Sequence, residues 1–547
     1  MAVITPQSDV YLLKVPLEID NNNQLTFANA TTQFNYFNGL PKIGYDDFTY
    51  IRKDGVLRIP DLVDNLYSYN YVMYRNDAYS NKWFYAYITG MEYVNDNVTD
   101  VSIATDVFQT WQFDLVYKKT LVEREHVNDD TIGKHTVPEN LNVGELMINS
   151  KTTLKPSNVT KDGNGTTLTN EYMIVFQTTS KLEVPGYENL MNPYFMYNNI
   201  FSGLLYFACA DEATARDVIK DFDNAGKAEE IIAIYLAPVQ FFQGCIKNTI
   251  NTKTIYTPAT DQVTAHTLAT LTSETTITRP TKLDGYTPKN NKCFVYPLSF
   301  MNVTNNVGME VSFNYEDFTN YTPKFEIVGA LGEGCTTKLI PKNYKGQSET
   351  GEYGLTGAKY PICGWNSDYY TNWMTQNAVN QTTSATTSGL SAVGGIVTGA
   401  LAGGMVGLAI GVVSGGVSLL NTAQQLFTQD ENAKIHPDQA KGNTNTSDII
   451  PGWGKYFTVS CMSARAEIAE QADNFFSMFG YKVNAVKIPN VTGRTNWNYV
   501  KTVGCYIDAD IPQEDLQEIK SMFDKGVTFW HNPATFCDYS QNNAIVS

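Results

Sequence analysis

Clustered basic charge is missing from this sequence. Lys and Arg number 39 against 56 Asp and Glu, for a formal net charge of −17, and no basic run is long. A protein that grips nucleic acid needs Lys and Arg gathered against phosphate, so composition argues against that class. An acidic balance serves ordinary solubility, and it also suits a surface past which DNA slides without sticking. Close cysteine pairs are missing too. Cys209, Cys245, Cys293, Cys335, Cys363, Cys461, Cys505 and Cys537 are scattered, which excludes a zinc knuckle and a CxxC redox site and predicts buried thiols of a protein assembled in a reducing cytoplasm. The start, MAVITPQSDVYLLKVPLEID, has no basic stretch followed by an apolar one, so no signal peptide and no conventional export are expected. HExxH, a GxSxG elbow, a P-loop and a protease-type Cys signature are absent. No catalytic, cofactor-binding or metal residue is assigned, and no enzyme activity is expected.

What is present favours strands. In 547 residues, 43% apolar and 17% charged residues are enough to bury several cores, and 34 Tyr with 39 Gly suit strands joined by turns. The expected fold class is mainly β with α+β parts, in several domains. Residues 1–145 alternate apolar and polar positions: Trp83, Tyr85 and Tyr87 share one face of NKWFYAYITGMEYV, and a turn near NDN leads into VTDVSIATDVFQTW. The tyrosines between Asn65 and Ile88 suggest either a sugar-binding surface or sheet packing, and spacing of two favours packing. Residues 146–300 and 301–368 read as two peripheral β-rich domains, with one helix at DEATARDVIKDFDNA. The loop KDGNGTT lacks the twelve-residue calcium pattern and reads as a turn. Residues 445–547 run β-α-β-β-α-β: KYFTVSC, a helix ending at Gly480, YKVNAVKI, NYVKTVGCYI, a helix between Pro512 and Gly526, then VTFW.

Residues 369–430 stand apart. From Tyr369 to Gln429 there is no Asp, Glu, Lys, Arg, His or Pro. Within that stretch Gly395, Gly399, Gly403, Gly407, Gly411 and Gly415 recur every four residues, nearly one stripe on a helix. Such glycines let helix backbones approach closely in lipid, whereas in water each costs about 0.8–1.0 kcal/mol relative to Ala. An α-helix from Gly395 to Gly415 would span roughly 30 Å, the thickness of a bilayer core. The flanks NQTTSATTS and NTAQQLFTQ carry neither the Lys and Arg nor the aromatic belts of an anchor. Three readings compete: a buried soluble hairpin, a constitutive transmembrane helix, and a conditional membrane loop sheltered until needed. The flanks favour the third, with Ser414–Gly416 as a turn.

The ends of the chain resemble a known family. NKWFYAYITGMEY, ATDVFQTWQFD and REHV, and then FGYKVNAVKIPN, NYVKTVGCYI and DLQEIKSMFDKGVTFWH, are similar in order and spacing to the distal tail-knob protein of phi29-like podophages of Gram-positive hosts. That resemblance implies a tail-tube-like protomer with β-barrel wall elements, assembled as a homohexameric tube at the distal end of a virion tail. Its lumen would be plugged by hydrophobic loops that insert in the host cytoplasmic membrane and form a channel for the genome. It implies proximal tail and lower collar proteins as neighbours, and DNA passing through without specific binding. The plugging and membrane-inserting residues would be Gly395, Ile396, Val397, Gly399, Leu401, Gly403, Met405, Val406, Gly407, Leu408, Ile410, Gly411, Val412, Val413, Gly415, Leu419 and Leu420.

Two rivals remain. A tail-associated cell-wall-degrading enzyme would use Glu123, Glu125 and His126 of VEREHV, with the two Glu on one strand face, although a glycosidase needs carboxylates set around a sugar. A solvated strand or an interface salt bridge is the plainer reading. A free pore-forming toxin would need an export route. For an acid trigger, His126, His135 and His436 are candidates by residue type alone.

Overall fold

A computed structural model describes residues 8–48, 55–76, 82–179, 181–188, 190, 194–197, 200–257, 262–264, 269–272, 274–332, 334–346, 353–357, 360, 362–363, 365–367, 439–441 and 456–546. The chain divides into two compact units, one of residues 1–149, 280–300 and 462–547, the other of 150–279 and 301–461. Among the described residues sheet far outweighs helix.

In the first unit a six-stranded sheet runs in the order Lys42–Phe48, Ser8–Leu13, Tyr71–Asn76, Trp83–Asn95, Val98–Thr105, Val56–Ile59. Every neighbouring pair is antiparallel. Because side chains alternate across a strand, Tyr71, Met73, Tyr85 and Tyr87 go to one face with Phe37, while Val72, Tyr74, Phe84 and Ala86 go to the other with Phe108 and Trp111. Trp83 is partly buried against the Tyr85 and Tyr87 cluster, so these three aromatics share a face that builds a core. Burying both faces removes far more apolar surface from water than a half-solvated sheet would, at about 25 cal/mol per Å².

A second sheet in this unit has five strands, Asn23–Leu25, Val527–Trp530, Trp497–Val503, Thr120–Glu125 and Tyr481–Lys487. The C-terminal elements run β-α-β-β-β-α-β, with helices Ala466–Phe479 and Gln513–Lys525; NYVKTVGCYI, expected as one strand, splits into Trp497–Val503 and a short Ile507–Asp508 that pairs with Val116–Tyr117. These strands do not close on one another: Thr120–Glu125 lies between Tyr481–Lys487 and Trp497–Val503, and Phe457–Ala464 joins a different sheet. Helix Gln513–Lys525 begins after Pro512, buries Leu516, Ile519, Met522 and Phe523 along one stripe, and ends at Gly526 with φ +100°. That stripe joins Val500, Val527 and Phe529 in the core beneath the sheet.

The second unit is built on a sheet whose main path is Ile246–Ile250, Lys253–Thr257, Ile200–Cys209, Tyr172–Thr179, Ile231–Pro238 and Ile362–Cys363. Helix Glu212–Asn224, capped by Asp211, presents Ala215, Val218 and Phe222 to Phe176, Phe207 and Ile234 on one face. The other face buries Val175, Tyr206 and Tyr235 with Phe313, Phe325 and Leu339.

Candidate functional site

All seventeen residues expected to plug the lumen and insert in a membrane, from Gly395 to Leu420, lie outside the described residues, as does His436. Among the described residues no helix is long and apolar enough to cross a membrane. What the structure does place is the stem on which the uncharged segment is mounted. Strand Trp365–Ser367 pairs antiparallel with Gln439–Lys441, with Trp365 opposite Lys441 and Ser367 opposite Gln439. Residues 368–438 therefore leave and return at one place, as a closed excursion. Just before the stem, Ile362 and Cys363 pair with Tyr235 and Ile234 of strand Ile231–Pro238, as the edge of its sheet. The stem thereby follows directly from the edge of the main sheet of the second unit. Its partners come from positions far apart in sequence, so no local pattern announces it.

The rival site in VEREHV comes apart. On the Trp497–Val503 side, Lys501 registers with Arg124 and Thr502 with Val122, so Glu123 is the extra residue of a β-bulge and the alternation breaks there. Glu125 is buried, pairs with Lys487 and accepts the Asn490 amide at 2.9 Å. Glu123 pairs with Lys501 at 2.9 Å near the surface. The two carboxylates serve different lysines in two structural ion pairs. His126 is buried, accepts the Tyr499 amide on Nδ1 at 2.7 Å and has Nε2 3.1 Å from the Ser477 carbonyl. Burial and the Arg494 charge push it down to about 3. His135 lies 2.7 Å from the Asp129 carbonyl and is likewise lowered by burial.

The other polar sequences resolve into structure as well. Asp162 of KDGNGTT accepts the amides of Asn164 and Thr166 at 3.0 and 2.7 Å, an Asx turn closing a short hairpin. Among the described residues no three His, Cys, Asp or Glu gather as metal ligands. Cys209, Cys245, Cys293, Cys335, Cys461 and Cys505 are buried free thiols, and Cys537 is exposed.

Sequence reasoning missed one polar knot in the first unit. Asp473, fully buried on helix Ala466–Phe479, accepts the Tyr286 hydroxyl and the Lys289 amide at 2.8 Å and both the amide and side chain of Asn290 at 2.9 Å. Beside it the Tyr481 hydroxyl donates to Asp130 at 2.6 Å. Glu139 accepts Lys292 at 2.5 Å and pairs with Arg124. Burial opposes ionisation of Glu139, but these cations hold its carboxyl below the usual range. A buried carboxylate with four donors is well satisfied, and the knot fastens residues 280–300 to helix Ala466–Phe479. Only the Asn and Lys run of PKNNKC hinted at it.

Comparison with known families places this multi-sheet chain among structural proteins of phage tails: residues 7–118 match the family described as caudoviral major tail protein N-terminus. Residues 264–544, just over half of the chain, match the family described as Bacillus phage phi29, tail knob protein gp9, C-terminal domain, and the chain belongs to that family. It is 27% identical to tail knob protein gp9 of Bacillus phage phi29 and 28% identical to that of Bacillus phage PZA, each over 98% of both chains. The protein of Bacillus phage B103 is 24% identical over 97% of both. In fold it is similar to the bacteriophage C1 tail knob protein, gp12, with a TM-score of 0.62 and 15% identity over 98% of this chain and 100% of that one. The chain is thus a tail knob component of a virion.

Proposed function

We propose that this protein forms a homohexameric tube at the distal end of the tail, attached to proximal tail and lower collar proteins and plugged along its axis by residues 369–430. Residues 1–145 and 445–547 supply the wall. On infection the six segments leave the lumen, insert in the host cytoplasmic membrane and line a channel through which the genome passes without specific binding.

The observation that carries this reading is a 61-residue stretch free of charge and proline, held as an excursion by the stem Trp365–Ser367 with Gln439–Lys441. Such a segment is costly to leave in water and has no anchor to keep it in lipid. A ring shelters six copies on its axis and delivers them to the membrane together. Relatives named as tail knob proteins support a structural role and not an enzymatic one. The test is dye release from liposomes by the purified protein. Full-length protein is expected to release dye and a variant lacking residues 389–427 to fail. Release retained by the deletion variant would sink the mechanism.

A further inference from the structure

Among the exposed apolar side chains of the first unit are two groups of opposite character. On the five-stranded sheet, Leu121 is in register with Val486 on one side and with Val503 on the other, so three large apolar side chains stand in a row across neighbouring strands. They are 40, 68 and 54% exposed. Val116 and Tyr506 are also exposed, further along the neighbouring segments, where the Lys118 amide donates to the Tyr506 carbonyl at 3.2 Å. The other end of the same face is covered: Tyr499 meets Phe479 of helix Ala466–Phe479, and Arg124 lies over Phe475. The second group is at the tip of the hairpin Trp83–Asn95 with Val98–Thr105, where every residue from Glu92 to Asn97 is exposed.

The two surfaces complement each other. At the tip Tyr93 is 53% exposed beside Val94, and the charges present are Glu92 and Asp96, with no Lys or Arg between residues 89 and 98. Along the row, Lys501 is paired with Glu123 at 2.9 Å and Lys118 with Asp508 at 3.7 Å. That leaves Lys119, two residues from Leu121 and exposed, as a local positive excess in a chain of net charge −17. Apolar contact on both sides with opposite charge at the margin is what a specific interface requires.

We propose that the acidic hairpin tip of one copy seats on the Val486–Leu121–Val503 row of a second copy. Two different surfaces of one unit then join head to tail, the heterologous contact from which closed rings are built. This rests on the homohexamer of the proposed function and names the surfaces that build it.

The test is sedimentation velocity of the full chain. Val486→Glu with Val503→Glu places carboxylates against the acidic tip, and Glu92→Lys with Asp96→Lys reverses the tip. All four side chains are exposed, so circular dichroism and melting are expected to match the parent. Each pair is expected to raise the concentration for half-assembly by about tenfold or more, since like charges across an interface are strongly unfavourable. The two pairs combined should restore assembly. Variants that assemble like the parent, or a combination that does not recover, would overturn the interface while leaving the ring intact. Variants that assemble normally but fail to enter particles would assign the row to another tail protein, which also overturns it. A parent that sediments only as the protomer would remove the ring reading itself.

Discussion

Gly480 ends helix Ala466–Phe479 at φ +65°, ψ −157°, a region open in practice to glycine alone. A Cβ there would stand 2.2 Å from the Glu125 carbonyl oxygen and 2.5 Å from the His126 amide, so the helix can turn into strand Tyr481–Lys487 only with no side chain at this position. Gly480→Ala should cost about 3 kcal/mol or more in chemical denaturation, and a loss near zero would refute the close approach. Titration offers a second prediction. His126, buried, and His531, half-buried, are held at about 3 and about 4 by desolvation, below the 6.5 of the unfolded chain. A depressed imidazole gives stability that is complete above pH 6.5 and lost as pH falls toward the folded value. Asp106 works the other way: burial raises it from 3.8 to about 6, so protonation between pH 6 and 4 adds stability. Each proton taken up by the unfolded chain but not by the folded one costs about 1.4 kcal/mol of stability per pH unit. His126→Gln removes one such proton, so the fall in stability between pH 6 and 4 should become shallower by about 1.4 kcal/mol per pH unit when denaturation curves are compared across that range. An unchanged slope would show that His126 is not the group responsible.

Elements differ in how plainly the sequence announces them. Helix Glu212–Asn224 was legible because DEATARDVIKDFDNA carries both its cap and its stripe: Asp211 accepts the Thr214 amide at 2.8 Å, and Ala215, Val218 and Phe222 fall on the buried side. Asp211→Ala should therefore lower stability by about 1 kcal/mol, and a shift in the denaturation midpoint checks it. Alternation likewise placed Trp83, Tyr85 and Tyr87, and terminal signals at Pro512 and Gly526 bounded the last helix. Pairing between distant strands was not legible. Nothing local to Thr120–Glu125 says that it lies between Tyr481–Lys487 and Trp497–Val503, because period-two alternation names a face and not a neighbour. The bulge at Glu123 escaped for the same reason, since it exists only relative to a partner strand. The stem of the excursion and the knot at Asp473 also depend on residues brought together over long separations. Of the candidate site, the sequence showed the uncharged segment and its glycines, while the pairing that makes it a loop needed the fold.

At the scale of the whole particle the proposed channel depends on helices meeting in lipid, and the glycine spacing makes that dependence testable. Positions four apart advance by about 400°, so Gly395 through Gly415 form a row that winds slowly round a helix, and two such helices meet closely over only part of it. The central glycines, Gly403, Gly407 and Gly411, are the ones whose substitution should matter most. Changing all three to Ile keeps the segment apolar, so its transfer into a bilayer is preserved or strengthened, yet fills the groove through which backbones approach. The expected outcome is that the Ile variant floats with liposomes as well as the parent while dye release falls about tenfold or more. The Ala variant separates packing from helix formation: each Gly to Ala change favours the helix by about 0.8–1.0 kcal/mol while adding one methyl to the contact. It should fall between parent and Ile in release. Full release by the Ile variant would mean that the glycines serve the sheltered state in the tube and not the channel, since close packing in lipid would then be dispensable.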